Sequence, residues 1–190
     1  ALAAPDELEV LGIVATAGNI GLEQTQKNVR KVLELAGRSD IPVHAGCPRP
    51  MQGGLVTAEH VHGPTGLDGP DLPEPTMALQ VRHGVDFLVE TLLDAAPASI
   101  TLCSLSPLTN LAMALVQAPA IAGRIREIVM MAGAYFEGGN ITPTAEFNVY
   151  VDPEAADVVL RSGIATTMLP LDVTHRMLST LARLGRFRAL

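Results

Sequence analysis

The chain has 190 residues, 48% of them apolar and 17% charged, which supplies one core and excludes a disordered polar chain. Its formal net charge of −7 argues against a nucleic-acid ligand, which selects a basic face. The apolar runs are short and broken by charge, Gly or Pro, so no membrane span or signal peptide is read, and the two distant cysteines, Cys47 and Cys103, suit buried thiols in a reducing cytosol.

Residues 1–6 read as the last turn of a helix running into a turn, and 8–15 as an apolar strand stopped at Gly18-Asn19. A helix is predicted over 21–36, with Val29, Val32, Leu33 and Ala36 on one face and Gly37 as its stop. A short strand at 41–46 follows the Ser39-Asp40 turn. Residues 47–75 are rich in Gly and Pro and show little periodicity; long irregular stretches of this kind are functional or mobile elements. A helix is expected over 76–95, a strand over 100–105, and a further helix opening near Pro107 or Leu108. The run Ile128-Val129-Met130-Met131 reads as a buried central strand. A helix over 153–162 is closed by Gly163, and a strand follows over 166–171, where Pro170 warns of a bulge or early end. Residues 181–190 form an amphipathic segment that stops midway, so both ends look cut.

Apolar, barely alternating strands that take turns with helices predict an α/β fold. The expected architecture is a three-layer sandwich whose mostly parallel, Rossmann-like sheet carries helices on both faces. No internal repeat or linker interrupts it, and residues 1–190 read as a single domain.

In such a sheet, ligands bind beyond the carboxyl ends of the strands. Four segments fall there: 17–19, 106–110, 132–134 with the stretch beyond it, and 171–175. The stretch 138–156 is the most informative. It places Asn140, Glu146 and Asn148 after a central strand, and amides and carboxylates hold hydroxyl-rich ligands. Glu146 and Asn148 lie two apart, so an extended backbone would aim both to one side. Asp152 before Pro153 is a helix N-cap. Gly133, Gly138 and Gly139 match neither a P-loop nor a dinucleotide fingerprint, and no nucleophile elbow is present. Thr109-Asn110 can equally begin a helix, and His175 reads as a structural histidine beside Asp172 and Thr174.

The residues in this order resemble the nucleoside hydrolases, the inosine–uridine-preferring N-ribohydrolase family. The likeness is carried by Ala17-Gly18-Asn19, by His62-Gly63 with Gly66-Leu67-Asp68-Gly69, and by Ser106-Pro107-Leu108-Thr109-Asn110. It continues through Met130-Met131-Ala132-Gly133, Gly139-Asn140-Ile141-Thr142-Pro143, Glu146-Phe147-Asn148 with Asp152-Pro153, and Leu171-Asp172-Val173-Thr174-His175. The resemblance implies hydrolysis of the N-glycosidic bond of ribonucleosides to free base and ribose. It also implies a Ca²⁺ ion that binds the attacking water and the ribose diol, an oxygen-ligated hard cation.

By resemblance Asn19 contacts the sugar, Met131 lines the ribose, Asn140, Glu146 and Asn148 hold its hydroxyls, and His62 lies on the segment that closes over the base. Of the family's metal ligands only the threonine carbonyl has a counterpart, at Thr109. The aspartate-rich segment is expected upstream of Ala1, and the histidine–aspartate pair that protonates the base beyond Leu190. The chain is therefore expected to lack the first strand and the C-terminal part, and it contains no certain catalytic residue. His175 belongs to an earlier element and takes no catalytic role. Relatives imply a cytoplasmic homodimer or homotetramer. The alternative is a truncated, non-catalytic nucleoside or ribose binder. Glu146 and Asn148 are expected to be loop residues whose replacement costs little stability, and the preferred base stays open.

Overall fold

The computed structural model describes residues 4–189. The helix end read at residues 1–6 falls partly outside the described residues; residues 5–7 form a turn. Strand β1 (Ile13–Ala15) pairs in parallel with β2 (Val43–Ala45), Ile13 against Val43 and Ala15 against Ala45. Both are shorter than the sequence suggests. The Ile13 N–H donates to the Pro42 carbonyl at 2.9 Å, but Pro42 has no N–H with which to extend the ladder. Leu8 and Leu11, at the start of the expected strand, are exposed.

Strands β3 (Ile100–Ser104), β4 (Ile125–Met131) and β5 (Thr166–Leu169) form a second parallel ladder in the order β3-β4-β5. Among the described residues the two ladders do not join, so the expected single sheet is two. All paired strands are parallel, so each ladder presents its carboxyl ends together. β5 ends before Pro170, as its missing donor requires.

Helix α1 (Leu22–Leu35) ends as read, with Gly37 at φ 66°, a conformation cheap only for glycine. Its buried line is narrower than expected. Leu33 is buried and Val29 packs beside it, against Ile41 and Val43, whereas Val32 and Ala36 are exposed. A single turn, α2 (Glu59–His62), interrupts the irregular stretch.

The helix expected over 76–95 is only α3 (Gly84–Asp94). Residues 76–83 form no helix and are irregular, with a single bridge residue at Gln80. Glu34 accepts from the Thr76 and Met77 N–H groups, the Gln80 N–H donates to Val43 O at 2.9 Å, and Gln80 bridges His44. His83 then caps the helix by accepting from Val85 N.

Helix α4 (Thr109–Gln117), a 3₁₀ segment at Pro119–Arg124, and α6 (Pro153–Leu160) complete the main core with α3 and β4. Ile121, Ile128, Met130, Ala112 and Val159 are sealed within it. Two short helices, α5 (Phe147–Val151) and α7 (Leu171–Thr174), lie beyond the strand ends, and α8 (Leu181–Arg188) is exposed. Cys47 is half-buried and Cys103 is exposed on β3, which corrects the reading of both as buried thiols: alternate residues of β3 face away from the core.

Candidate functional site

The carboxyl ends of both ladders are tied together by the first two residues of α4. The Asn110 side-chain oxygen accepts from Cys47 N at 2.7 Å, and its amide donates to Thr16 Oγ1 at 2.8 Å. One buried amide thus joins the ends of β1 and β2 to the helix that follows β3. Gly46 makes room for it, because a Cβ there would lie 2.4 Å from the Asn110 amide nitrogen and 2.5 Å from the Ala15 carbonyl.

Beside it, the Thr109 hydroxyl donates to Asp152 at 2.5 Å. Asp152 is fully buried. It caps α6 by accepting from Ala155 N at 3.0 Å, as its place before Pro153 predicts, and its other oxygen accepts from Met51 N at 2.9 Å. Residues 47–51 are therefore held at one end by Asn110 and at the other by Asp152. The Cys47 thiol pKa is raised, first by burial and then by the charge of Asp152.

The stretch after β4 is organised by Glu146. This residue is 2% exposed and caps α5: one oxygen accepts from Asn148 N at 3.0 Å, the other from Gly133 N at 3.1 Å and Val149 N at 3.3 Å. Gly133, at φ 74°, turns the chain out of β4 so that its N–H meets the carboxylate. Asn148, in the first turn of α5, donates from its amide to the Met131 carbonyl at 3.0 Å and to its sulfur at 3.3 Å. Met131, Glu146 and Asn148 are thus brought together at the end of β4, by a capped helix and not by the extended backbone that their spacing suggested. Both polar residues are buried, which corrects their reading as loop residues of little structural weight.

Asn140 is exposed, and its side-chain oxygen accepts from Phe147 N at 2.8 Å. Asn19 is also exposed; its carbonyl accepts from Ala58 N at 2.8 Å, and Ala58 packs with Phe147 and Val151. Through these contacts the end of β1, residues 55–58 and the stretch after β4 meet. His62 stands exposed on α2, its N–H bonded to the Ala58 carbonyl.

Asp172 fixes the turn after β4, accepting from the N–H groups of Tyr135 and Phe136 at 2.8 Å and of Glu137 at 3.2 Å. The Tyr135 N–H, then the other backbone donors, hold its carboxyl below the usual value. His175 pairs with Glu137, not with Asp172 or Thr174. Sequence reasoning missed the Asp172 and Asn110 bridges, because their partners lie 35 or more residues away.

Among the described residues no three His, Cys, Asp or Glu side chains are placed to hold a metal. The carboxylate adjoining Thr109, Asp152, already satisfies three protein donors. The donors present do not by themselves fit a Ca²⁺ ion, which takes six to eight oxygens.

Comparison with known proteins places these observations in a wider set. The family model described as inosine-uridine preferring nucleoside hydrolase matches residues 1–190. An uncharacterized protein of Schizosaccharomyces pombe is 49% identical over the whole chain, which covers 61% of that relative. An Escherichia coli protein named pyrimidine-specific ribonucleoside hydrolase RihA is 46% identical over the whole chain, covering 60% of it. Among solved structures, a purine-preferring ribonucleoside hydrolase from Gardnerella vaginalis superposes with a TM-score of 0.90 at 30% identity, over 96% of this chain and 59% of that one. A plant nucleoside hydrolase gives 0.81 at 34% identity, over 89% and 54%. The chain thus spans about three fifths of the length of the curated relatives it matches.

Proposed function

Because the chain belongs to the inosine-uridine preferring nucleoside hydrolase family, we propose that the gene product carrying it hydrolyses ribonucleosides to free base and ribose, with pyrimidine nucleosides preferred. One observation carries the base preference: identity of 46% to a pyrimidine-specific ribonucleoside hydrolase, sustained over all 190 residues. The named purine-preferring neighbour stands at 30%. Residues 1–190 are then part of one catalytic domain.

In the reaction, water adds to the anomeric carbon, the bond from that carbon to the base nitrogen breaks, and the base leaves with a proton. The residues of this chain bind and orient the sugar. Glu146 and Asn148 would take ribose hydroxyls, with Asn140 and Asn19 at the rim and Met131 against the sugar's apolar side. The support is the rigid placement of Met131, Glu146 and Asn148 at the end of a central strand, where ligands of such sheets bind. A carboxylate held there favours a ring that becomes cationic at the transition state more than the neutral substrate, which is differential binding. His62, on the turn that Ala58 links to Asn19, would face the base.

Ca²⁺ dependence, a cytoplasmic location and a homodimeric or homotetrameric state are proposed from the resemblance. When bound, the ion would acidify water. Thr109 is its one matched ligand here, and the described carboxylates do not fit it. No described helix is long and apolar enough to cross a membrane.

The test is release of reducing sugar from uridine, cytidine and inosine by the full gene product, with and without chelator. Pyrimidine turnover above inosine turnover is expected, with loss on chelation. No sugar from any nucleoside refutes the enzyme reading, and tight nucleoside binding without turnover would support the non-catalytic binder in its place.

A further inference from the structure

The polar face of α1 has a use that the site above does not require. Residues 63–78 have no regular structure, and side chains of α1 hold them along their length. The Asn28 amide donates to Thr65 O at 2.7 Å, and Lys31 Nζ to Leu72 O at 3.2 Å. Lys27 and Lys31 pair with Glu74 at 2.5 and 3.1 Å, and Arg30 donates to Met77 O at 3.2 Å.

Glu34 makes the densest contact. One of its oxygens accepts from Thr76 N at 2.6 Å, from Thr76 Oγ1 at 2.9 Å and from Met77 N at 2.6 Å. Charge-assisted bonds of this kind are stronger than neutral ones, whereas in its pairs with Lys27 and Lys31 the Glu74 carboxylate is itself exposed, and such ion pairs contribute little. Residues 27, 31 and 34 share a face at helical spacing, opposite the Val29 and Leu33 line that enters the core.

The same strap reaches the strand ends. It crosses at Gly66, whose φ is 69° and where a Cβ would lie 2.5 Å from Ile20 Cδ1. Ile20 follows Asn19, and Asn19 is bonded to Ala58, which precedes the turn carrying His62. These contacts connect the strap to both residues. Between α1 and residues 65–74 lies a polar groove of about 240 Å³, so there the attachment is made by these few side chains; beyond it Met77 also packs against the Leu33 cluster, and Glu34 fixes the backbone that carries it.

We propose that Glu34 is a positioning residue for the substrate: by anchoring residues 76–77 it sets where the strap crosses the end of β1 and so places His62 and Asn19. The inference rests on the nucleoside reading. Glu34 touches no substrate atom in it and acts only through the strap.

The experiment compares Glu34→Ala and Glu34→Gln in the full gene product, with steady-state kinetics on uridine and amide exchange over residues 63–78. Alanine favours helix, so α1 should fold in both variants, and circular dichroism checks this. Glu34→Ala is expected to raise KM at least fivefold with kcat within about threefold, and to speed exchange at Thr76 and Met77 at least tenfold. Glu34→Gln retains an acceptor oxygen and is expected to recover most of the KM. A KM unchanged in Glu34→Ala while exchange rises would overturn the positioning role alone, as would unchanged exchange. An inactive wild type would reject the nucleoside reading and this role with it.

Discussion

Replacing Asp152 by alanine tests the account of the site's framework most directly. The carboxylate is fully buried and serves three donors on three segments: Ala155 N in α6, Met51 N in the irregular stretch and the Thr109 hydroxyl in α4. Loss of the cap costs about 1 kcal/mol. Two further donors lose their acceptor in a site closed to water, at about 1–3 kcal/mol each. Relief from burying a charge offsets part of this. The net expectation for Asp152→Ala is about 3–5 kcal/mol of lost stability.

Asp152→Asn separates the terms. Its oxygen can keep the Ala155 cap, while its amide meets the Met51 N–H head on, so an intermediate loss of about 1–3 kcal/mol is expected. Urea unfolding of the full gene product measures both, read as a shift in midpoint at constant slope. A change below about 1 kcal/mol for the alanine variant would refute the reasoning, since neither stranded donor would then have mattered.

Other expectations follow from the same geometry. Glu146→Ala leaves the Gly133, Asn148 and Val149 N–H groups without their acceptor, and is expected to cost about 2–4 kcal/mol in urea unfolding as well as weakening sugar binding. Gly46→Ala forces a Cβ onto the Asn110 amide and the Ala15 carbonyl; a loss of about 1–3 kcal/mol is expected by thermal or urea unfolding, and full stability would show that the Asn110 bridge is dispensable. Asp172 has a folded pKa below its ordinary 3.8, so its contribution is present above that ordinary value and is lost as pH falls through the lower folded one. Amide protection at Tyr135, Phe136 and Glu137 should therefore drop in acid, and Asp172→Asn should remove that pH dependence. Identical profiles for the two proteins would rule the bridge out.

Local chemistry accounts for the features that are legible in the amino-acid sequence. Gly37 and Gly163 stop helices at φ 66° and 77° because they alone reach that conformation cheaply. Asp152 caps α6, and Pro170 ends β5. Each needs only a residue and its immediate neighbours. The α/β alternation is readable for the same reason, since the periods of strand and helix are local.

The misreadings have the opposite cause. Residues 76–83 read as helix but are held in irregular backbone by Glu34 and Val43, 42 and 37 residues away. Glu146 and Asn148 are expected on a loop, aimed to one side by an extended backbone, yet Glu146 finds the Gly133 N–H across a turn and becomes a cap. Residue types named the candidates at 140–152 correctly as polar groups beyond a central strand, but could not say which were buried.

The sequence by itself therefore determined the fold class, the helix stops and the family of this protein, all of which follow from short-range periodicity and ordered motifs. Only the tertiary structure decided that the β1–β2 and β3–β5 ladders stand apart, that Asn110 and Asp152 fasten their ends, and that the polar face of α1 carries the strap. These depend on hydrogen bonds between segments 37 to 101 residues apart. Their partners are selected by three-dimensional closeness, and no spacing along the chain encodes them.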